Sequence, residues 1–404
     1  MITLETAWQR LLPHLDPLPA ETVPRRAALG RVLAAPLAAT ADLPAADVSA
    51  MDGYAAAAPL AAGDRRPVAG TVAAGEAPGR ALPPGAALRV MTGAPVPEGA
   101  DRVIPFEQTA EAGGVVTFRE VPAAGAHVRR RGEVTRTGAP LLAAGTVLGP
   151  EALSVAASQG AAGLPVHGAP RVAVLATGDE VVPPDVEPPP GRLRDSHTDY
   201  LLAAGRLLGL GFTALGIAPD DRAALAERIG AGLAGHDVLL VTGGVSAGDF
   251  DFVEDVLAAA GCEPLFDAVA IQPGKPLVAA VRPAAPGSPR RLVFGLPGNP
   301  ASAIVTYRLV VRPALLRLLG RSAAPLADLV AGELAAPSPG AGPRDRFFPA
   351  VVVPGPGGLR VTPVAPQGSH DHLAQARGPA LLHVPAGSPP RRPGEPCRVL
   401  LPDV

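Results

Sequence analysis

Residues 171–178 read RVAVLATG, an unbroken apolar run, Val172 to Ala176, that ends in Thr177 and Gly178. DVLLVTGG at 237–244 has the same character, and FTALGIA at 212–218 is predicted to be a further strand. Continuous apolar runs of this length are typical of parallel strands that are buried on both faces of a sheet. These two buried strands, with the strand at 212–218, decide the fold of the middle of the chain.

The segments that separate these runs have the lengths and apolar spacing of helices. They read SHTDYLLAAGRLLGLG (196–211), DRAALAERIGAGLAG (221–235) and DFDFVEDVLAAAG (249–261). Strands that alternate with helices of this length predict a doubly wound α/β domain over 170–318, with right-handed crossovers.

The flanking regions follow other patterns. Apolar residues at helical spacing predict helices over 4–16, 24–36 and 149–160, so residues 1–44 and 136–169 are expected to form one discontinuous helical part. Short apolar runs broken by Gly and Pro predict a β-rich domain over 45–135. A similar pattern predicts a second β domain over 319–404, in the form of a barrel.

Composition narrows the class of protein. A chain of 404 residues predicts two to four domains at about 150 residues each. With 18% charged residues and a net charge of -2, the chain does not have the composition of a polybasic nucleic-acid binder. Cys262 and Cys397 make neither a disulfide framework nor a zinc site. No signal peptide or membrane span is predicted, and a cytoplasmic location is expected.

Rare residues stand in a few short segments. The single lysine, Lys275, lies in IQPGKPL, and the single asparagine, Asn299, lies in GLPGNPASA. Two of the three methionines lie in SAMDGYA (49–55) and RVMTGAPVPEGAD (89–101). A coding bias against lysine and asparagine explains their scarcity. The two that remain were kept either for a function or by chance. An ammonium held between Gly274 and Pro276 suits an oxyanion.

The glycine-rich segment VTGGVSAGDFD (241–251) follows a predicted buried strand. Gly243, Gly244 and Gly248 allow a ligand to approach the backbone, and exposed N–H groups there favour a phosphate. Ser246 and Asp251 add a hydroxyl and a carboxylate that suit a phosphate and its Mg²⁺. The alternative is a purely structural turn.

Other polar residues are open to two interpretations. Asp179 and Glu180, after the strand at 171–178, are either loop residues or members of a site, and Ser196, beside Asp195, is equally a helix N-cap. Asp52 and Thr92 lie in turns. The run RRRGE (129–133) is either a solvated surface or an edge that faces an anion.

Taken together, these segments resemble the molybdopterin molybdenumtransferase family, which includes MoeA and the E domain of gephyrin. Nine segments match in order: SAMDGYA, GEAPG, RVMTGAPVPEGAD, RRRGE, ATGDE, DS (195–196), TGGVSAGDFD, PGKP and GLPGNPASA. The resemblance implies an elongated four-part chain with a MoaB/Mog-like α/β domain, acting as a homodimer. Its cleft would lie between the α/β and C-terminal domains of one subunit and residues 45–135 of the other.

The resemblance also implies the reaction and the residue roles. Molybdate is inserted into adenylylated molybdopterin, AMP is released and Mg²⁺ is required. It implies contact with other cofactor-biosynthesis proteins, whereas composition and the lack of an apolar span predict no contact with nucleic acid or membrane. The catalytic group would be Asp52, Glu180, Asp251 and Lys275. The metal group would be Asp52, Glu180, Asp221 and Asp251. The substrate-binding group would be Thr92, Asp195, Ser196, Gly243, Gly244, Ser246, Gly248, Pro297, Pro300, Arg344 and Ser369.

The chain departs from the family pattern at Val48, Val134, His197 and Gln272. The family often has an acid at 134, an asparagine at 197 and a lysine at 272, so one metal or catalytic carboxylate and one expected cation near molybdate are missing. Two alternatives stay open: an adenylyltransferase that activates molybdopterin, and a non-catalytic pterin-binding scaffold.

Overall fold

A computed structural model of the chain describes residues 1–244, 252–286 and 289–402. These residues form two compact units. The larger comprises Met1–Val23, Ala28–Ala34 and Pro165–Val404, and the smaller comprises Pro24–Ala27 and Ala35–Leu164. The four-part division expected from the sequence stays a prediction.

Helices are few. Those of the described residues are α1 (Leu4–Leu11), α2 (Pro150–Ser158), α3 (His197–Leu207), α4 (Arg222–Gly235), α5 (Val253–Ala259), α6 (Pro300–Thr306), α7 (Arg312–Leu318) and α8 (His372–Arg377). A π-helical segment, Tyr307–Val311, joins α6 to α7. Short 3₁₀ segments lie at Leu12–His14, Arg25–Ala27 and Phe106–Gln108.

The helix predicted over 24–36 is wrong. Only the single turn Arg25–Ala27 forms there, and the chain then turns at Gly30, which has a φ of +75°. That backbone conformation interrupts a right-handed helix. The apolar residues that suggested a helix, Val32 and Leu33 among them, are fully buried in extended backbone instead.

The smaller unit is built on a six-stranded sheet. In chain order, strands β1 to β11, of which β1 belongs to the larger unit up to Val23, are Ala20–Pro24, Leu37–Ala38, Val48–Ser49, Gly53–Ala56, Arg65–Val72, Ala87–Val90, Arg102–Pro105, Thr109–Ala112, Val115–Phe118, Val128–Arg129 and Pro140–Leu142. The order in the sheet is β7-β4-β6-β5-β9-β8, and only β5 and β6 run parallel. Tyr54, Ile104 and Phe118 are among the residues of its core. The β-rich character predicted for this region is confirmed.

The larger unit contains the predicted α/β domain. Strands β12 to β21 are Gly163–His167, Val172–Thr177, Val181–Val182, Leu193–Arg194, Phe212–Ala218, Val238–Thr242, Glu263–Ala268, Ile271–Gln272, Pro276–Arg282 and Arg291–Leu296. Its sheet has the order β16-β13-β17-β21-β20-β18. The first four strands are parallel, and β20 is antiparallel to both of its neighbours.

Both faces of this sheet are covered, as its continuous apolar strands require. Val172 and Val174 face α1, α3 and the α6–α7 segment, whereas Ala173 and Leu175 face α4 and α5. Helix α1 contributes Leu4, Ala7, Trp8 and Leu11 to the first of these cores. This spacing places the four side chains on one face of the helix.

The C-terminal strands close into the predicted barrel. Strands β22 to β26 are Leu329–Leu334, Asp345–Gly355, Gly358–Pro363, Ala380–Val384 and Pro396–Leu400. They pair in the cycle β23-β24-β22-β26-β25-β23, which leaves no free edge among the five. The two-residue strand β19 pairs with β23 and thereby ties the barrel to the α/β domain.

The helices of the described ranges are all shorter than the roughly 20 residues that a membrane span requires. None of them is long and apolar enough to cross a membrane.

Candidate active site

Three loops meet at the carboxyl edge of the parallel strands. They follow β13, β17 and β21, the central strands of the sheet. The Gly243 N–H donates to the Leu296 carbonyl at 3.1 Å, and the Thr177 hydroxyl donates to the Thr242 carbonyl at 3.2 Å. Ligands bind at this edge in open α/β sheets.

Gly243 is required by the geometry of this edge. Its φ is +88°, and a Cβ atom there would lie 2.8 Å from the Thr177 carbonyl oxygen. Gly244 also has a positive φ, of +62°. A Cβ on Gly298, from the neighbouring loop, would lie 3.8 Å from the Gly243 Cα. Gly243, Gly244 and Gly298 therefore bring no side chains of their own to this part of the edge, which lets a ligand approach their backbone.

Three residues assigned to this loop from the sequence, Ser246, Gly248 and Asp251, lie outside the described residues. Their assignments stay predictions.

The acids near this edge divide into structural and available groups. Asp179 and Asp220 each accept the other's backbone N–H, at 3.2 and 3.3 Å, so this pair holds two loops together. Asp221 caps α4, where its Oδ1 accepts the N–H groups of Ala223 and Ala224. Glu180 is exposed, and its carboxylate folds over Gly178 with no hydrogen bond or ion pair to any residue that the structure describes.

The segment Asp195–Ser196 begins α3, and the acid caps the helix. Asp195 is buried, and its Oδ1 accepts the N–H groups of His197 at 2.9 Å and Thr198 at 3.1 Å. Ser196 makes no capping bond to the described helix, so its hydroxyl is not used as the N-cap.

His197, the first residue of α3, replaces the asparagine that the family pattern suggested. Burial lowers the pKa of its imidazole, and the nearby charge of His372 lowers it further, against an opposing effect of Asp195. Its Nε2 is buried, with no hydrogen-bond partner in the described part of the chain. Both the burial and this missing partner favour the neutral form of the ring.

A second feature, a cavity of about 350 Å³, lies between the α/β domain and the barrel. Its lining residues are Gln272, Pro273, Gly274, Lys275, Pro276, Asn299, Ser302, Arg344, Arg346, Phe347, Phe348, Pro366, Gly368 and Ser369. We call it the cationic cavity, because its lining carries one lysine and two arginines and, as far as the chain is described, no carboxylate. It brings together Lys275, Arg344 and Ser369, which the sequence placed in one site.

Backbone contacts fix the walls of the cationic cavity. Gly274 has a φ of +108°, and a Cβ there would lie 2.7 Å from Thr306 Cγ2. The Ala301 N–H donates to the Ser369 carbonyl at 3.1 Å, and Arg344 reaches the Ile271 carbonyl at 3.4 Å. Neither Asn299 nor Ser302 was assigned to a site from the sequence, although both lie in the GLPGNPASA segment.

One loop connects the two features. Residues 297–300 place Gly298 against Gly243 on one side and Asn299 at the wall of the cationic cavity on the other. Pro297 and Pro300 flank these two residues, and Pro300 begins α6. We call the backbone around Gly243, Gly244 and Gly298 the glycine edge. The glycine edge and the cationic cavity are therefore parts of one continuous region of the larger unit.

The smaller unit brings Asp52 and Thr92 together, although 39 residues separate them in the chain. The Asp52 Oδ1 accepts the Thr92 N–H at 2.6 Å and the Thr92 hydroxyl at 2.9 Å. These two hydrogen bonds, with a smaller effect of Arg89, hold the pKa of Asp52 below its usual value. Asp52 is therefore ionised at neutral pH and suits a role as a hydrogen-bond acceptor or metal ligand.

The RRRGE run of this unit is largely neutralised. Arg130 pairs with Asp47 and Arg131 pairs with Asp42, each at 2.6 Å. The Arg130 N–H also donates to Glu133. Two of the three cations therefore have carboxylate partners within the folded unit.

The metal group expected from the sequence stays a prediction, because Asp251 lies outside the described residues. Within residues 1–244, 252–286 and 289–402, no three His, Cys, Asp or Glu side chains are placed to hold one ion. Asp52 belongs to the smaller unit and Asp221 is used as a helix cap.

Two known families match most of the chain. Residues 2–160 match the MoeA N-terminal region (domain I and II), and residues 173–317 match a probable molybdopterin binding domain. A molybdopterin molybdenumtransferase of Synechococcus elongatus is 41% identical over 77% of this chain and 78% of the relative. One from Staphylococcus aureus is 31% identical over 99% of this chain and 95% of the relative.

The fold has a close match among solved structures. The crystal structure of a molybdopterin biosynthesis moeA protein from Pyrococcus horikoshii superimposes with a TM-score of 0.82 at 30% identity. The match covers 99% of both chains.

Proposed function

The chain belongs to the molybdopterin molybdenumtransferase family, and on that premise we propose that it inserts molybdate into adenylylated molybdopterin and releases AMP. The observation that carries the proposal is the loop at 297–300. It joins a glycine edge suited to a phosphate with a cationic cavity suited to an oxyanion. The reaction needs these two anions side by side, because one substrate carries a pyrophosphate and the other is molybdate.

The glycine edge would hold the phosphate end of the pterin substrate. Gly243 and Gly244 would let the substrate approach the backbone closely because they carry no side chains, while the Gly243 N–H itself donates to the Leu296 carbonyl at 3.1 Å. Pro297 and Pro300 flank the adjoining loop. Asp195 and Ser196 stand at the start of α3, which follows the first strand of this edge. We assign Ser246 and Gly248 to the same phosphate on the family resemblance.

The cationic cavity would hold molybdate. Lys275 is exposed to the cavity and is, among the described residues, without an ion-pair partner. The cavity therefore offers the compact charge of the Lys275 ammonium, the planar guanidinium of Arg344 and the neutral hydroxyl of Ser369. Positioned charge of this kind stabilises an anion without covalent participation of the protein.

Mg²⁺ would enter with the pyrophosphate. In such sites the ion keeps several waters and uses one or two carboxylates together with substrate phosphates, so a three-carboxylate cluster is not required. Exposed and unpaired within the described chain, Glu180 fits such a ligand. Asp221 fits less well because one of its oxygens already accepts two backbone N–H groups. When bound, the ion would neutralise phosphate charge.

We further propose that the protein is a homodimer and that Asp52 and Thr92 act on the partner's substrate. An apolar groove of about 360 Å³ on the larger unit supports an interface, lined in part by Tyr200, Ala203, Leu207 and Pro379. Leu207 is 59% exposed, as is Leu373 of α8. Exposed apolar side chains beside a groove are typical of interaction surfaces.

Two measurements test these proposals. Purified protein is incubated with adenylylated molybdopterin, Mg²⁺ and molybdate, and AMP is measured. Release that depends on molybdate and stops on chelation with EDTA is expected; substrate binding without release would instead support a pterin-binding scaffold. Light scattering is expected to give the mass of a dimer, and Leu207→Glu is expected to give a monomer. A monomeric wild type would contradict the assembly.

A further inference from the structure

Gln272 and Arg346 face each other across two paired strands. Strands β19 and β23 run parallel, and their register places Ile271 beside Asp345 and Gln272 beside Arg346. Both residues of the second pair line the cationic cavity. The cation Arg346 therefore lies directly across the strand pair from Gln272, the position at which the family often has a lysine.

The guanidinium of Arg346 is held in place by neutral contacts. Its central carbon lies 4.4 Å from the centre of the Phe348 ring, and Nη1 donates to the Gly340 carbonyl at 3.1 Å. Phe348 is itself buried. Stacking on an aromatic face and one carbonyl bond orient the group but leave its positive charge uncompensated.

The nearest acid in sequence does not neutralise Arg346. Asp345 points to the opposite side of the strand, where it accepts the Ala386 N–H at 2.8 Å and lies 3.6 Å from His383. Alternation along a strand explains this, because successive side chains point to opposite faces. In the part of the chain that the structure describes, Arg346 forms no ion pair with any carboxylate.

Two other arginines of the larger unit differ in this respect. Arg360, on the neighbouring strand of the barrel, pairs with Glu333, and Arg312 pairs with Asp328 at 3.0 Å. An arginine that is oriented by its neighbours and not paired with a carboxylate is prepared to bind an anion.

We infer that Arg346 is a substrate-binding residue that supplies the second cation of the molybdate site, across the strand pair from Gln272. The inference deepens the proposed function and rests on it. Gln272 then contributes a neutral amide donor, and Lys275, Arg344 and Arg346 share the two negative charges of molybdate. A tetrahedral dianion can accept hydrogen bonds from several directions at once, so donors on different walls of the cavity do not compete.

The experiment moves the charge across the strand pair. Arg346→Gln is expected to raise the KM for molybdate roughly tenfold, because a charge-assisted hydrogen bond is lost. The kcat at saturating molybdate is expected to change little, because only binding is weakened. The double variant Gln272→Lys with Arg346→Gln restores a cation at the opposite strand and is expected to recover most of the affinity.

A matched control and a second readout separate this role from a structural one. Arg398→Gln alters an arginine of the same barrel whose guanidinium donates to the Leu329 carbonyl at 2.8 Å, outside the cavity. It is expected to leave the KM for molybdate unchanged. Titration calorimetry with sodium molybdate alone is expected to show the same order: wild type, then the double variant, then Arg346→Gln.

The possible results distinguish the inference from its premise. If the wild type releases no AMP in response to molybdate, the proposed function fails. If the wild type is active and Arg346→Gln keeps both its KM and its calorimetric affinity, only the role of Arg346 is overturned. A raised KM that Gln272→Lys does not recover would also overturn it, since the loss would then not be one of charge at this strand pair.

Discussion

Each of the two units gathers positive charge, and the two use it differently. In the smaller unit, the consecutive residues of RRRGE bind local carboxylates, Arg130 to Asp47 and Arg131 to Asp42. In the larger unit, Lys275, Arg344 and Arg346 come from separate segments, meet at one cavity, and pair with no carboxylate that the structure describes. The conspicuous run in the sequence is the neutralised one.

The difference shows what makes a cation available to a substrate. A guanidinium paired with a carboxylate must give up that partner before it binds an anion, whereas an unpaired one oriented by its neighbours does not. Whether a cation forms an ion pair in the folded chain therefore distinguishes the two regions better than the number of charged residues in a stretch of sequence. Three changes test this comparison.

The largest effect is expected from the single lysine. Lys275→Gln removes an unpaired point charge from the cationic cavity and is expected to lower kcat/KM for molybdate by roughly thirty- to a hundredfold. Lys275→Arg is expected to retain part of the activity and to fail mainly at low molybdate, because the guanidinium is larger and planar. Initial rates of AMP release across molybdate concentrations measure both.

Arg360→Gln is the matched control for the lysine, because it removes a cation of the same unit that already pairs with Glu333. Its kcat/KM is expected to match the wild type. Equal losses in Lys275→Gln and Arg360→Gln would abolish the distinction between paired and unpaired cations.

These residues also show how far the sequence predicts the site. Lys275 was found because it is the only lysine and is bracketed by Gly274 and Pro276. Arg346 was missed because arginine is common in this chain, and its importance depends on the register between β19 and β23. The one available signal was its spacing: Arg344 and Arg346 are two residues apart, as for side chains on one face of a strand.

The fold was more accessible than the site. Buried strands such as β13 and β17 can be predicted from their continuous apolar residues, whatever elements they pack against. The helix predicted over 24–36 was wrong for a different reason. Its apolar residues have helical spacing, but Val32 and Leu33 are buried in extended backbone. Whether apolar residues mark a helix depends on partners that lie far away in sequence.

The second change, Gly243→Ala, tests the glycine edge, which adjoins the cationic cavity and carries no charge. Gly243→Ala is expected to lower the free energy of unfolding by about 3 kcal/mol, through the strain of a positive φ and the crowding of a new Cβ against the Thr177 carbonyl. AMP release is expected to fall as well, because the methyl group narrows the approach to the backbone. Urea denaturation measures the first effect.

Gly191→Ala separates strain from crowding. Gly191 has a φ of +84°, close to the +88° of Gly243, but a Cβ there would meet nothing within 4 Å. This variant is expected to lose only about 1 kcal/mol, the cost of the backbone conformation alone. A loss as large as that of Gly243→Ala would remove the argument for close packing at the glycine edge.

The smallest effect is expected in the paired run of the smaller unit. The Thr137 N–H, the Arg131 guanidinium and the Thr137 hydroxyl, in that order, lower the pKa of Asp42 from 3.8 to about 2. The stabilisation that these contacts give is complete above about pH 4 and is lost as the pH falls through about 2, because Asp42 then takes up a proton in the folded state too. Arg131→Gln is expected to raise this pKa only part of the way, since the largest contribution, the Thr137 N–H, remains.

Titration of the Asp42 carboxyl carbon by NMR measures the pKa, and Arg129→Gln serves as the control. Arg129 belongs to the same run, but none of the described residues forms an ion pair with it. Its substitution is therefore expected to leave the midpoint of Asp42 in place. If both variants shifted the midpoint equally, the run would act through its summed charge, and the specific pairs that distinguish it from the cationic cavity would lose their meaning.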